Sequence, residues 1–357
     1  MFGAIIGDLC GSSYDGDNVK TKDFPLLTRF SRLTDDSIMT LAVADIIQNN
    51  MQLSPSDIAY KLKEWTRAYN DRGYGEYFYE WAMSDDDRPY ESMGNGAAMR
   101  ISPVGWYAKT KEEVKEWSKC ITSATHNHKE AIKAAEVVAM CIFYARKGYS
   151  KSFIKRYASK YYDLDFDYED LVDDYEFDCT CPESVPQAIY CFLISNSFID
   201  CLKTAISIGG DSDTIAAIAC SIAEAYYKHI NPNLIKAMYE NLPEGIPDPL
   251  AVIEQFIDDL EDDYVTSEIL TDKHYIIYVN DNNQGFYGHS KRIIVLKDYI
   301  INRLDRAGFK RLNKVKNMLK EASDFTTLNN IISDINLLCE DYDISFKLYR
   351  NKDEANL

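Results

Sequence analysis

The chain has 357 residues, with 39 Lys+Arg against 57 Asp+Glu and a formal net charge of −18. That surplus of carboxylates excludes nonspecific nucleic-acid binding, which neutralises phosphates, and adsorption to an anionic membrane surface. A hydrophobic fraction of 46% is normal for a globular protein, and the length predicts a large domain plus a small one.

At the start, Met1-Phe-Gly-Ala-Ile-Ile-Gly-Asp8 has no basic segment and meets an Asp early, so no signal peptide is expected. No apolar run reaches the ~18 residues of a membrane span. Nine Cys include no CxxC, and Cys179-Thr-Cys181 is the only close pair. These features predict a soluble, reduced, cytoplasmic protein in which most Cys are small core residues.

Thr34-Asp35-Asp36-Ser37 leads into a helix predicted over Ser37–Ile47, apolar on most faces and therefore buried. A second helix is predicted over Pro55–Tyr69, started by Ser54 with Pro at its first position. Gly94-Asn95-Gly96-Ala97-Ala98-Met99-Arg100 places glycines before a helix, where backbone N–H groups can meet a phosphate. It lacks the third Gly of a dinucleotide fingerprint and the Lys of a P-loop. In Thr125-His126-Asn127-His128 the two His are two residues apart and face different ways, which argues against a His–His zinc pair. His128 reads as a capping residue and His126 as the better contact for a polar ligand.

A core helix follows over Lys129–Arg146. Residues 163–178 are strongly acidic, but Tyr168 stands where an EF-hand needs Gly and Asp174 where it needs Glu, so they read as a solvated face. Helices are then predicted over Ser184–Ser195, Asp200–Ser207 and Asp213–Tyr227, the last rich in Ala for close helix contact. Gly209-Gly210-Asp211-Ser212-Asp213-Thr214 stands before it. This segment repeats the chemistry of residues 34–37, two carboxylates and a hydroxyl at a helix start. Each alone fits an N-cap. Together, with no Lys or Arg within either segment, they suggest one shared site for a hard divalent cation, which prefers oxygen ligands. No GxSxG elbow or other nucleophile signature appears.

Near residue 265 the charge balance changes. Residues 272–357 carry 14 basic and 12 acidic side chains, a net of +2, whereas the remainder carries a net of −20. The predicted division is a helical domain over 1–264 and a small α+β appendage over 265–357. In the appendage, strands are expected over His274–Val279, Arg292–Leu296 and Ile344–Tyr349, and helices over Lys297–Arg306, Leu312–Ala322 and Thr327–Tyr342. Its Lys310, Arg311, Lys314, Lys316 and Lys320 read as a solvated helix face.

In family order, residues 3–8, Phe24-Pro-Leu-Leu27, 34–45, 94–100 with Ser102-Pro103, Ala124-Thr-His126 and 206–214 resemble the ADP-ribosylglycohydrolase family. The resemblance covers residues 1 to about 262 and implies an all-α, multi-helix fold with a dinuclear Mg2+ centre, sometimes Mn2+, at the bottom of a cleft. Carried onto this chain, it makes Thr34, Asp35, Asp36, Asp211, Asp213 and Thr214 metal ligands, with Asp8 supporting them from behind. It sets Asn95, Gly96 and His126 against ADP-ribose. Two positions depart from the family pattern. Tyr14-Asp15 stands where Tyr-Glu is common, and Met93 stands where an aromatic ring that stacks on the ligand is common, so Met93 is expected to contact the ligand through its sulfur. The reading is thus a hydrolase of the glycosidic bond between ADP-ribose and an acceptor, with Asp15 or Asp36 moving the proton. The alternatives are a two-metal phosphoester hydrolase on a nucleotide-like substrate, or an inactive ADP-ribose-binding or structural homologue. The implied partner is an ADP-ribosylated substrate; residues 265–357 lie outside the resemblance, and their charge shift and strand content suggest that they recruit a target or cover the cleft rim.

Overall fold

A computed structural model of the chain describes residues 1–16, 18–49, 53–260, 275–281, 284–290, 300–301, 304, 309–320, 325–339 and 344–349. It falls into two units, Met1–Tyr264 and Val265–Leu357. Within the first, the helices in order are α1 (Phe2–Gly11), α2 (Asp35–Gln48), α3 (Pro55–Ala68), α4 (Glu76–Met83), α5 (Gly96–Met99) and α6 (Ser102–Tyr107). Next come α7 (Lys111–Ser123), α8 (Lys129–Arg146), α9 (Lys151–Ala158), α10 (Tyr168–Asp174) and α11 (Cys181–Ile194). The last are α12 (Phe198–Ser207), α13 (Ser212–Tyr227), α14 (Pro232–Glu240) and α15 (Pro249–Asp259). Among the described residues of this unit there is no strand, only a bridge between Gly94 and Thr180. The core is all-α.

Two helices without a polar face form its centre. Every residue of α1 is buried, as is α13 from Ser212 to Ala225. Helices that are apolar all round must be enclosed by others, and α13 is packed by α1, α8, α11 and α12. The α1–α13 seam is unusually close because Gly3, Gly7 and Gly11 recur every four residues on one face. A Cβ on Gly7 would sit 2.4 Å from the Ala216 carbonyl oxygen, a distance no carbon tolerates. Glu224 of α13 closes the start of α1 by accepting from the N–H groups of Phe2 (3.1 Å) and Gly3 (2.8 Å).

Local signals set most helix starts. Ser54 accepts from Asp57 N–H, Thr34 from Asp36 N–H and His128 Nδ1 from Glu130 N–H, each supplying a partner for an otherwise unpaired first-turn donor. The sequence expectation for α12 began at Asp200; the helix begins two residues earlier, with Ser197 capping Asp200 N–H. Likewise α11 begins at Cys181, not Ser184, with Pro182 in its first turn, where a missing N–H goes unnoticed. None of the nine Cys forms a disulfide, and all but Cys120 and Cys179 are buried. No helix among the described residues is long and apolar enough to cross a membrane.

The second unit contains strands β1 (Tyr275–Asp281), β2 (Gln284–Ser290) and β3 (Ile344–Tyr349) in an antiparallel sheet ordered β2-β1-β3. Tyr278 stands opposite Tyr287 on one side and Lys347 on the other. The second strand thus precedes the position read from sequence, and Arg292–Leu296 lies outside the described residues. Among the described residues of this unit are helices α16 (Leu312–Lys320) and α17 (Phe325–Cys339). Val315, Leu319, Leu328, Ile332, Ile335 and Phe346 share a core, while Lys310, Arg311, Lys314, Lys316 and Lys320 are exposed, as expected of a solvated face.

Candidate active site

A cavity of about 470 Å³ opens in the first unit. Its carboxylate wall comes from the loop after α1 (Asp15), the start of α2 (Asp35, Asp36) and the start of α13 (Asp211, Asp213, Thr214). The α1–α13 seam brings these segments together. The turn into α13 is made by Gly209 and Gly210, both in the left-handed region at φ +77° and +74°. It is crowded as well, since a Cβ on either would come 2.4 Å from Asn18 Oδ1 or the Tyr175 ring. Asn18 Oδ1 in turn accepts from Gly210 N–H at 2.9 Å, tying the Asp15 loop to that turn.

The carboxylates form two overlapping triads. One oxygen each from Asp8, Asp36 and Asp213 lies within 4.8 Å of the others, and so does one each from Asp15, Asp211 and Asp213. Asp213 belongs to both. Burial, then the Asp36, Asp211 and Asp8 charges, raises the Asp213 pKa well above the ordinary carboxylate value. Asp36 is raised in the same way by burial and by Asp8, Asp35 and Asp211. Asp35, at the wall, is pushed up to about 8, mainly by burial and then by Asp8. Asp36 Oδ1 is buried without a hydrogen-bond partner. Crowded, desolvated carboxylates with an orphaned oxygen, and with none of Asp35, Asp36 and Asp213 in an ion pair with Lys or Arg among the described residues, fit a hard divalent cation.

The polar neighbours divide into ligands and holders. Asp8 lies behind the wall and accepts from Thr34 N–H (2.9 Å), Thr34 Oγ1 (2.7 Å), Ser37 N–H (3.1 Å) and the Ser37 hydroxyl. Burial raises its pKa to about 6 while those donors pull it back. Thr34 faces Asp8 and caps α2, and it does not line the cavity. Thr214 Oγ1 donates to Asp36 Oδ2 at 3.1 Å. Asp211, unlike Thr34, makes no capping bond. It accepts from Asn95 Nδ2 at 2.7 Å, and the same amide donates to Ser184 Oγ at 3.0 Å.

On the opposite chemical side, Gly94, Asn95, Gly96, Arg100 and His126 line the cavity. The N–H groups of Gly94, Asn95, Ala97, Ala98 and Met99 are already bonded within the chain, so this segment is not an open phosphate cradle. Met93, read from sequence as a ligand contact, is 44% exposed but does not line the cavity. Its backbone carbonyl holds Cys181 N–H at 2.9 Å. Aromatic surface comes from residues that carried no signal in the sequence: Tyr77 and Phe78 of α4, Tyr90, and Phe177 just before α11. Glu76 is a further lining carboxylate outside both triads.

Residues 1–269 match the sequence profile of the ADP-ribosylglycohydrolase family. The chain belongs to that family. Human ADP-ribosylhydrolase ARH3 is 25% identical over 306 residues, covering 64% of this chain and 84% of the relative. An uncharacterised Archaeoglobus fulgidus protein is 26% identical over 264 residues, covering 63% and 85%. The ADP-ribosyl-dinitrogen reductase glycohydrolase of Rhodospirillum rubrum is 23% identical over 208 residues, covering 55% and 69%. A solved ADP-ribosylglycohydrolase-related protein complex shares the fold at TM-score 0.55 and 22% identity, covering 72% of this chain and 95% of that one. The family match ends at residue 269, close to the boundary between the two units.

Proposed function

We propose that the chain hydrolyses the glycosidic bond joining ADP-ribose to an acceptor, using two divalent cations, Mg2+ or Mn2+. The observation that carries this reading is the pair of carboxylate triads sharing Asp213 on the wall of a cavity, in a member of this family. Asp8, Asp36 and Asp213 would hold one cation and Asp211 and Asp213 the other, with Asp35 and Thr214 beside them and Asp15 at the exposed edge of the second triad. Bound there, the cations would supply Lewis-acid charge and a template for ribose hydroxyls.

The chain's own groups account for the rest. Asn95 fixes Asp211 by its amide, and Thr214 fixes Asp36 by its hydroxyl. Of the triad carboxylates, Asp15 alone is exposed. It is therefore the group placed to give a proton to the departing acceptor atom and take one from water, in an oxocarbenium-like transition state. Asp36, buried in the wall, is better placed to hold charge than to exchange protons with solvent. The exposed rings of Phe177 and Tyr77 offer the adenine a stacking surface that Met93 does not. His126 and Gly96, both lining the cavity, would meet the ribose or phosphates.

The test is release of ADP-ribose from mono-ADP-ribosylated Arg and Ser peptides by chelator-treated protein, with and without added Mg2+. Free ADP-ribose only when metal is present is the expected result. AMP as product would make the chain a phosphoester hydrolase, and tight ADP-ribose binding without turnover would make it a binder.

A further inference from the structure

Arg100 is 1% exposed and lines the cavity, yet it forms no ion pair among the described residues, and its Nε has no partner. A buried guanidinium without a carboxylate is costly unless its N–H groups are used. Arg100 Nη2 donates to Thr125 Oγ1 at 2.6 Å and lies 3.5 Å from His126 Nδ1. Thr125 Oγ1 is itself 2.7 Å from His126 Nδ1. Arginine has donors only, so the threonine oxygen accepts from it and keeps its single proton to give onward. Nδ1 then has a hydroxyl proton aimed at it and a cationic N–H nearby, and both call for an acceptor at that nitrogen.

We propose that Arg100 and Thr125 act as positioning residues that lock His126 in the neutral Nε2–H tautomer, so that the ring presents one hydrogen-bond donor beside Gly94 and Gly96. Nε2 lies 3.6 Å and 3.4 Å from where a Cβ would stand on those two residues. Side chains there would occupy the space in which a ligand atom meets the donor. The ring is held from its sides by Phe78 and Tyr90, with centroids 6.5 Å and 5.8 Å away. Burial and the Arg100 charge keep His126 well below its usual pKa, so it does not become a cation when an anion approaches. The ligand class this selects carries an acceptor oxygen at that point. Naming that oxygen as a ribose or phosphate oxygen of ADP-ribose rests on the function proposed above; the tautomer does not.

The experiment is long-range 1H–15N correlation NMR of the 15N-labelled full chain with Mg2+ at pH 7.5, the His126 pattern being assigned by its loss in His126→Gln. A pyridine-like Nδ1 and a pyrrole-like Nε2 are expected. The reversed pattern, or an averaged one, would overturn the proposal, and this wild-type measurement decides it without any variant. Thr125→Val should mix or invert the tautomer and weaken ADP-ribose binding by about tenfold, the scale of one hydrogen bond. Thr125→Ser should restore both, whereas an unchanged tautomer in Thr125→Val would remove Thr125 from the proposal. Adding ADP-ribose should move the Nε2 resonance. A locked tautomer that ignores ADP-ribose would sink the functional reading and leave the lock standing, so the two fail separately.

Discussion

Thr214 Oγ1 donates to Asp36 Oδ2 across 3.1 Å, although 178 residues separate them in the chain. The bond joins the start of α13 to the start of α2, and each start carries a pair of carboxylates, Asp211 with Asp213 and Asp35 with Asp36. Helix N-termini favour negative charge through their exposed N–H groups. Two such ends facing one another make a place where several carboxylates can coexist, at a cost that a divalent cation removes.

Asp213 is the member common to both triads, so Asp213→Asn should remove the response to metal altogether. Titrating Mg2+ or Mn2+ should raise the melting temperature of the wild type and leave the variant unmoved. Without metal the variant should melt higher by about 2–4 °C, because relieving one crowded buried carboxylate is worth about 1 kcal/mol. A variant that still gains stability from metal would show that Asp213 is not shared.

Asp15→Asn should lower turnover by about 10^2- to 10^4-fold if Asp15 is the acid–base group. ADP-ribose affinity, read by calorimetry, should change far less, since Arg100, His126 and the aromatic wall are untouched. Wild-type turnover in Asp15→Asn would transfer the proton to Glu76, the exposed one of the two lining carboxylates, Asp35 and Glu76, that belong to neither triad.

His126 gives a pH signature with a definite sign. Its folded pKa lies well below 6.5 through burial and then the Arg100 charge, whereas the unfolded ring protonates near 6.5. Below that pH the unfolded chain binds a proton that the folded chain refuses, so acidification costs stability down to the folded pKa. Carboxylates with raised values, such as Asp8 at about 6, act in the opposite sense, and comparison with His126→Gln isolates the ring. Urea unfolding at pH 7.5 and 5.5 should show the wild type losing about 1 kcal/mol more than the variant. Equal losses would mean that His126 protonates freely in the folded state.

Gly7→Ala tests the central seam. A methyl group placed 2.4 Å from the Ala216 carbonyl oxygen must push α1 and α13 apart, at a cost of about 1–3 kcal/mol for overpacking. The urea midpoint should fall by that amount with an unchanged m-value. A neutral substitution would mean that the helices slide without penalty.

Truncation after residue 264 should leave a soluble core that hydrolyses a small ADP-ribosyl substrate, because every cavity-lining residue falls within the first unit. The far-UV spectrum and the rate on that substrate check this. An unfolded product would make residues 265–357 structural.

The carboxylate clusters were legible because each carries a local signal, a cap-like hydroxyl and paired Asp ahead of an apolar run. The all-α core was legible for the same reason, in the periodicity of α2, α8 and α13. Other features depend on tertiary packing and leave no local trace. The Asn95 amide turns inward to Asp211, and Tyr77, Tyr90 and Phe177 reach the cavity from segments far apart in sequence. Strand β2 contains Gly285, Gly288 and Ser290, poor strand formers that pairing with β1 nevertheless holds in register. The Gly3-Gly7-Gly11 stripe was visible in the sequence, but glycine disfavours helices. Only its partner α13 shows why α1 carries three.

That stripe has a consequence for how the site tolerates change. A Cβ on Gly11 would stand 2.5 Å from the Cα of Asp213 itself. The gap between Asp8 on one helix and Asp213 on the other is therefore gauged by three missing side chains. An ion site is usually thought of as defined by the groups that touch the ion. Here the separation of two carboxylates is set by hydrogen atoms on a buried face, one of them at Gly3, two helical turns from Gly11. A small residue acquired at that remote end would act as a shim, and its effect would be read as a change in metal affinity at a site it never contacts.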